Sequence, residues 1–187
     1  MKQNELEQKD LEARGYFRVD DVFPVISRKV TEASPYRKSK VFPGYSMEIS
    51  YMDVSDGTIN PQLWKMLVDI NTKLGLILEH LQLESEGLIK AEDMPVNISA
   101  SGIRFKMKEK VDIGDVIEIK MLLPTYPPVG ILTYGNIVQV NDLGNGEYEV
   151  ALYFSDMDDE VKDEIIQYAL KRQREILRKN KQQLDVR

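Results

Sequence analysis

Hydrophobic and polar positions alternate with a period of two through much of the second half of the chain, as in half-buried β-strands. The pattern covers the segments MPVNIS, GIRFKM, DVIEIKMLLP, GILTYGNIVQV and GEYEVALYF, within residues 94–154. Gly144, Asn145 and Gly146 separate the last two segments and are typical of a tight hairpin. Shorter β-prone pieces lie between Phe23 and Asp53. We expect a run of mostly antiparallel strands, which is best closed as a small barrel.

Two other segments have helical periodicity. The first starts with Asn60 and Pro61, an N-cap residue followed by proline at the first helical position, and covers about residues 61–84. The second covers about residues 156–182, and Ser155 and Asp158 are spaced as a capping box at its start. The sequence therefore predicts a mainly β, α+β protein: a small antiparallel barrel with a long inserted helix and a C-terminal helix.

Apolar residues of the inserted helix recur at alternating spacings of four and three, which is the 3.5-residue period of a coiled-coil seam. The predicted seam consists of Leu63, Leu67, Ile70, Leu74, Ile77 and Leu81. Leucine at the a positions with mainly isoleucine at d favours trimers or tetramers over dimers in parallel assemblies. Burial against the chain's own barrel explains the same apolar face equally well, so the pattern leaves both packings open.

The length and the polar N-terminus bear on organisation and location. At 187 residues, 42% of them hydrophobic, the chain has the size of one domain. We expect a mobile polar tail over residues 1–13 and a single domain over residues 14–187. The N-terminus lacks the apolar core of a signal peptide, and no run approaches the roughly 18 apolar residues of a membrane span. The expectation is a cytoplasmic protein without a membrane span.

Composition excludes several kinds of chemistry. The chain contains no cysteine, which rules out disulfides, thiolate metal sites and cysteine nucleophiles. His80 is the only histidine and lies within the predicted inserted helix, so a histidine dyad or a multi-histidine metal site cannot be built. The net charge of -6 argues against a broad nucleic-acid surface but permits a local basic pocket. We expect no enzyme activity, no metal or cofactor, and no DNA or RNA partner.

Two short polar motifs remain. Arg14 and Arg18 are four residues apart just after the tail, and Asn97, Ser99 and Gly102 interrupt a strand pattern in the segment NISASG. Each motif alone is weak, because paired charges and polar turns are common. In this order they complete the pattern RxxxR followed by D/NxSxxG, and on these residues the chain resembles the PilZ domain family.

This resemblance covers most of residues 14–154 and implies a bacterial receptor for the second messenger cyclic di-GMP, built on a PilZ-type β-barrel. The inserted heptad helix is similar to that of an atypical oligomeric PilZ subgroup. In the family, the two arginines lie on the flexible entry to the barrel, and the Asn and Ser side chains meet the nucleotide from the barrel surface. The resemblance therefore assigns Arg14, Arg18, Asn97, Ser99 and Gly102 to the ligand site, and it implies that the interrupted strand is one wall of that site.

The residue types suit this ligand. Cyclic di-GMP has two phosphates and two guanines, and the planar fork of arginine can pair with phosphate or with guanine O6 and N7. Asn97 supplies a donor and an acceptor, Ser99 a hydroxyl, and Gly102 permits close backbone approach. We expect a non-enzymatic receptor that orders its N-terminal arginine segment on binding and so signals to a downstream protein. The alternative is an oligomeric structural adaptor of the same fold that does not bind nucleotide.

Overall fold

The structure is a computed structural model that describes residues 17–30, 38–42, 60–155 and 157–184, with side chains as far as residue 179. Within these ranges the strands are β1 (Val19–Lys29), β2 (Lys40–Phe42), β3 (Asp93–Ser99), β4 (Gly102–Met107), β5 (Val116–Leu123), β6 (Val129–Gly144) and β7 (Glu147–Ser155). The helices are α1 (Pro61–Ser85) and α2 (Asp159–Leu184), and a short 3-10 helix, Leu88–Lys90, precedes β3.

The described strands form one antiparallel sheet in the order β2, β6, β5, β1, β3, β4, β7. Because β6 also pairs with β7, six of these strands close into a barrel, and β2 pairs with β6 beyond the end of β7. β1 contributes to both halves of the barrel, since residues 19–24 pair with β3 and residues 25–29 pair with β5. The predicted α+β fold with a small antiparallel barrel is therefore confirmed.

Alternate side chains of the strands fill the barrel. In β5 the inward residues Ile117, Ile119, Met121 and Leu123 are all fully buried. The helix α2 packs across the barrel and buries one face: Val161, Ile165, Tyr168 and Ala169. The period-two and helical patterns of the sequence thus correspond to the residues that build one shared core.

The start of α1 follows from its local chemistry. The side-chain Oδ1 of Asn60 accepts a hydrogen bond from the backbone N–H of Gln62 at 2.8 Å, and Pro61 occupies the first helical position. The helix ends at Ser85, one residue beyond its predicted end. The prediction of a long helix inserted among the strands is confirmed.

The start of α2 differs from the expected capping box. The backbone carbonyl of Asp158 accepts a hydrogen bond from the N–H of Lys162 at 3.1 Å, so Asp158 itself holds the N-cap position. Ser155 is the last residue of β7, and the helix begins at Asp159. The predicted hairpin, by contrast, is present: Asn145 and Gly146 join β6 to β7 with φ angles of 57° and 76°, as in a type I′ turn.

At its C-terminal end, α1 docks on the barrel. Leu83 packs with Phe42 and Leu88 in a small buried cluster beside the main core. Directly after the helix, a carboxylate oxygen of Glu86 lies 2.7 Å from Lys120 Nζ. Burial raises the pKa of Glu86, but Lys120 and Lys40 outweigh that effect and hold it below its ordinary value. Apolar packing and an ion pair therefore fix the base of the helix.

Above this base, the predicted seam faces away from the barrel. Its six residues are each between 45% and 55% exposed: Leu63, Leu67, Ile70, Leu74, Ile77 and Leu81. Met66, Leu76 and Leu78 are also about half exposed and widen the apolar surface. The described strands of the barrel do not cover the seam, so the packing of α1 against them does not account for the heptad pattern.

Some expectations concern parts of the chain that the structure does not describe. The predicted tail over residues 1–13, Arg14 and the β-prone piece at residues 45–54 lie outside the described residues. Among the helices that are described, none combines the length and the hydropathy needed to cross a membrane.

Candidate ligand site

A groove of about 640 Å³ opens on the outer surface of the barrel. Its walls come from β1, β3, β4, β7 and α2, and its polar lining consists of Arg18, Asp20, Asp21, Asn97, Arg104, Lys106, Glu149 and Arg172. A volume of this size is within the roughly 300–1,000 Å³ range of small-molecule sites. Four cations and three carboxylates line it, so the groove has a local positive excess on a chain whose net charge is -6.

The two sequence motifs meet in this groove. Arg18 Nη1 donates a hydrogen bond to Asn97 Oδ1 at 3.2 Å, although 79 positions separate the residues. The amide of Asn97 in turn donates from Nδ2 to Asp20 Oδ1 at 2.8 Å. Asp20 and Asn97 can pair because they are direct partners in the β1–β3 ladder. Of the five predicted site residues, Arg18 and Asn97 are thus brought together, whereas Arg14 lies outside the described residues.

Ser99 is placed differently. It is fully buried, and its Oγ lies 3.1 Å from Ser101 Oγ and donates to the backbone oxygen of Gly102 at 3.3 Å. The interruption of the strand pattern is a tight hairpin between β3 and β4, in which Ser99 and Gly102 are paired. Within this motif, Asn97 lines the groove and Ser99 organises the turn behind it. A ligand contact by Ser99 stays a prediction.

Gly102 is required by the close approach of β4 to β7. A Cβ atom at this position would lie 2.2 Å from the backbone oxygen of Leu152, a distance that no real side chain tolerates. The neighbouring backbone N–H of Phe154 donates to Ser101 O at 3.0 Å and holds the turn against β7. Glycine at this site therefore has a structural reason that does not depend on a ligand, and its assignment to the ligand site stays a prediction.

Comparison with known proteins agrees with the motif. A family model described as the PilZ domain matches residues 79–171. The chain belongs to the PilZ domain family. The match covers the Asn97–Gly102 motif and the barrel strands from β3 to β7, and it leaves out Arg14 and Arg18. No curated protein matches the sequence.

Solved structures share the fold at low sequence identity. A protein from Xanthomonas campestris, described as a new tetrameric PilZ domain self-assembled via an unusual helical bundle, superposes with a TM-score of 0.55 and 12% identity. The match covers 91% of this chain and 96% of that one. The inhibitor of motility MotI/DgrA from Bacillus subtilis matches with a TM-score of 0.46 and 15% identity, over 84% of this chain and 50% of that one.

A network that the sequence reasoning did not find joins the PilZ groove to α2. Arg172 Nη2 donates to Asp21 Oδ1 at 2.9 Å, and Arg172 Nε lies 2.7 Å from Asp21 Oδ2. The hydroxyl of Tyr168 donates to the same carboxylate, and its ring meets Phe23 edge-on with centroids 6.0 Å apart. We call Asp21, Tyr168 and Arg172 the latch, because together they tie α2 to β1.

The ionisation of the latch fits this geometry. Burial raises the pKa of the Tyr168 hydroxyl well above its usual range, and the hydrogen bond to Asp21 raises it further. Burial alone lowers the pKa of Arg172, but the attraction of Asp21 outweighs it and the pKa is raised. Tyr168 therefore remains a neutral donor and Arg172 a cation at neutral pH. In the described part of the chain, no three His, Cys, Asp or Glu residues lie close enough together to hold a metal ion.

We expect the latch to contribute measurably to the free energy of unfolding. Tyr168→Phe removes the hydroxyl that donates to the Asp21 carboxylate while keeping the ring against Phe23, so we expect the free energy of unfolding to fall by about 1.5–3 kcal/mol. Urea denaturation of wild type and variant measures this difference. The matched control is Tyr126→Phe, because Tyr126 is 98% exposed and we expect no change there. Equal stability of Tyr168→Phe and wild type would mean that the hydrogen bond contributes nothing to holding α2.

Proposed function

We propose that this PilZ protein is a non-enzymatic receptor that binds cyclic di-GMP in the groove. PilZ domains are generally receptors for this nucleotide. The observation that carries the proposal is the direct contact between Arg18 of the first motif and Asn97 of the second, at the wall of a groove large enough for a small molecule. Neither residue has a structural role in the core, since Arg18 is exposed and Asn97 is partly exposed.

The charge pattern of the groove supports a ligand with both phosphates and guanines. Arginine pairs with phosphate oxygens or with the acceptor edge of guanine. Asp20 offers a carboxylate in the same wall, and a carboxylate accepts hydrogen bonds from the N–H groups of guanine. Beside its contact with Asn97, this carboxylate suits a ligand that carries N–H donors better than a bare phosphate ion. The mixed lining therefore favours a guanine nucleotide.

For the signalling step, we propose that the ligand orders the segment around Arg14 and Arg18. Asn97 is held on β3 by the barrel ladder, whereas Arg18 immediately precedes β1. A ligand that contacts both must fix the segment before β1 relative to the barrel, and the fixed segment offers a partner a new surface. The response needs no reaction, only a difference in affinity between the two arrangements.

We expect Arg14→Ala and Arg18→Ala each to weaken cyclic di-GMP binding by about 1.5–3 kcal/mol, because each removes a charge-assisted hydrogen bond. Isothermal titration calorimetry gives the dissociation constants. Arg28→Ala is the matched control, because Arg28 is a surface arginine of the same strand region whose side chain is 70% exposed and pairs with Glu118 away from the groove. Affinities of both motif variants that equal that of the wild type would end the assignment of these arginines to the site.

Ordering of the arginine segment is tested separately. Hydrogen exchange with and without cyclic di-GMP should show new protection at residues 15–19 and smaller changes at residues 97–102, because the β3–β4 hairpin is already hydrogen-bonded. Binding without any change in exchange at residues 15–19 would refute the ordering step and leave the receptor assignment in place.

We also propose that α1 assembles copies of this chain through its exposed seam. Contiguous apolar surface of this extent is uncommon on monomers and marks an interaction site. The structurally similar Xanthomonas campestris protein is described as a tetramer self-assembled via a helical bundle, and the a and d residues of α1 favour more than two strands. A bundle of these helices would cover the seam, and none of the seam residues lines the groove.

Assembly predicts a large effect of one charge in the seam. Wild-type protein should be larger than a dimer by multi-angle light scattering, and Leu74→Asp should shift it towards monomer, because a buried unpaired carboxylate is costly. Gln82→Asp places the same residue on the same helix at an exposed position outside the seam and should not change the mass. A monomeric wild-type protein would contradict self-assembly.

The second candidate function is an oligomeric structural adaptor with a PilZ fold that does not bind nucleotide. The exposed seam favours it, because assembly through α1 needs no ligand. The burial of Ser99 and the structural reason for Gly102 also allow the second motif to persist without binding. The calorimetric titration distinguishes the two functions, since the adaptor gives no heat of binding with cyclic di-GMP.

A further inference from the structure

Two cations of the groove are not part of either sequence motif. Arg104 and Lys106 lie on β4, where they alternate with the buried residues Ile103, Phe105 and Met107 and so point outward into the groove. Arg104 is the direct partner of Asn97 in the β3–β4 ladder. Asp20, Asn97 and Arg104 therefore form one row across β1, β3 and β4 on the outer face of the barrel.

Arg104 and Lys106 differ from the other cations of the groove in their partners. Arg18 is hydrogen-bonded to Asn97, and Arg172 is paired with Asp21. The side chains of Arg104 and Lys106 form no hydrogen bond or ion pair with any described residue.

The acidic residue nearest in register does not neutralise them. Glu149 is opposite Lys106 in the β4–β7 ladder, yet it accepts a hydrogen bond from Asn141 at 3.4 Å and forms no ion pair with Lys106. An arginine fork that projects into a groove without an acidic partner is available to an anion from solution. The strand β4 therefore adds two cationic hydrogen-bond donors, Arg104 and Lys106, to the groove beside Asn97.

The position of Arg104 complements that of Arg18. Neighbouring strands are about 4.8 Å apart, so the row from β1 to β4 spans about 10 Å, with Asn97 in its centre. Arg18 reaches Asn97 from the β1 side, and Arg104 flanks Asn97 on the β4 side. A ligand with one phosphate needs only one of these cations, whereas a ligand with two phosphates can use both.

We propose that Arg104 is a ligand-contacting residue that holds the second phosphate of a cyclic dinucleotide, and that Lys106 adds to the positive potential beside it. This inference rests on the proposed function, because it concerns the same groove. It extends the site beyond the two motifs, from the arginine motif before β1 to a side chain carried by a paired strand of the barrel wall. Arg104 belongs to the preformed half of the site, together with Asn97.

The test compares cyclic di-GMP affinities by calorimetry. We expect Arg104→Ala to raise the dissociation constant about 10- to 100-fold, as for the loss of a charge-assisted hydrogen bond, with no change in the melting temperature. Arg104→Lys keeps the charge but loses the planar fork, so its affinity should be intermediate. Lys110→Ala removes one exposed positive charge outside the groove and should bind like the wild type.

Salt dependence adds a readout that a purely structural role of Arg104 does not change. Wild-type affinity should fall as sodium chloride is raised, and the fall should be shallower for Arg104→Ala but not for Lys110→Ala, because one phosphate contact fewer is screened. A wild type that binds, with an Arg104→Ala variant of the same affinity and salt dependence, overturns the role of Arg104 alone. A wild type that does not bind cyclic di-GMP overturns both this inference and the proposed function.

Discussion

The double pairing of β1 is the constraint on which the rest of the structure depends. Its first half is hydrogen-bonded to β3 and its second half to β5, so this one strand joins the two halves of the barrel. Because successive side chains of a strand point to opposite faces, Asp20 turns outward to Asn97 while Asp21 turns towards α2 and meets Tyr168 and Arg172. Two adjacent carboxylates thus connect one strand to both the groove and the C-terminal helix. Loss of the β1 register by one residue would exchange these roles and destroy both contacts.

The residues that line the groove lie on two kinds of backbone, paired strands and a connecting segment. Asn97 and Arg104 are carried by paired strands of the barrel, whereas Arg18 belongs to the short segment that leads into β1. The latch fixes α2 at the edge of the same groove, so Arg172 contributes charge there while its guanidinium is already committed to Asp21. The groove therefore contains cations that are already paired, Arg18 and Arg172, beside Arg104 and Lys106 on β4. In the proposed receptor, this division would let a site be largely preformed and still respond to its ligand.

Local chemistry predicted the elements that depend on neighbours in the sequence. Asn60 and Pro61 mark the start of α1, and Asn145 with Gly146 makes the hairpin, because capping and positive φ are decided within a few residues. The contact of Arg18 with Asn97 could be predicted only from the family motif, because local sequence patterns do not relate residues 79 positions apart. The pairing of Asp21 with Arg172 depends on where barrel closure brings α2, and no pattern in the sequence encodes it. Ser155 was misassigned for a related reason: its pairing in β7 competes with a capping role, and the ladder wins.

The exposed seam of α1 has a thermodynamic consequence for the whole chain. Half-exposed leucine and isoleucine side chains retain much of their hydration in the single chain, so their full stabilisation is available only when something covers them. Where copies of the chain cover each other's seams, each folded chain is stabilised by binding another folded chain. Mass action then makes the melting temperature rise with protein concentration. The base of the helix, fixed by Leu83 and Glu86, transmits that gain to β2 and β5 of the barrel. The stability of the barrel is then a property of the amount of protein in the cell as well as of its sequence.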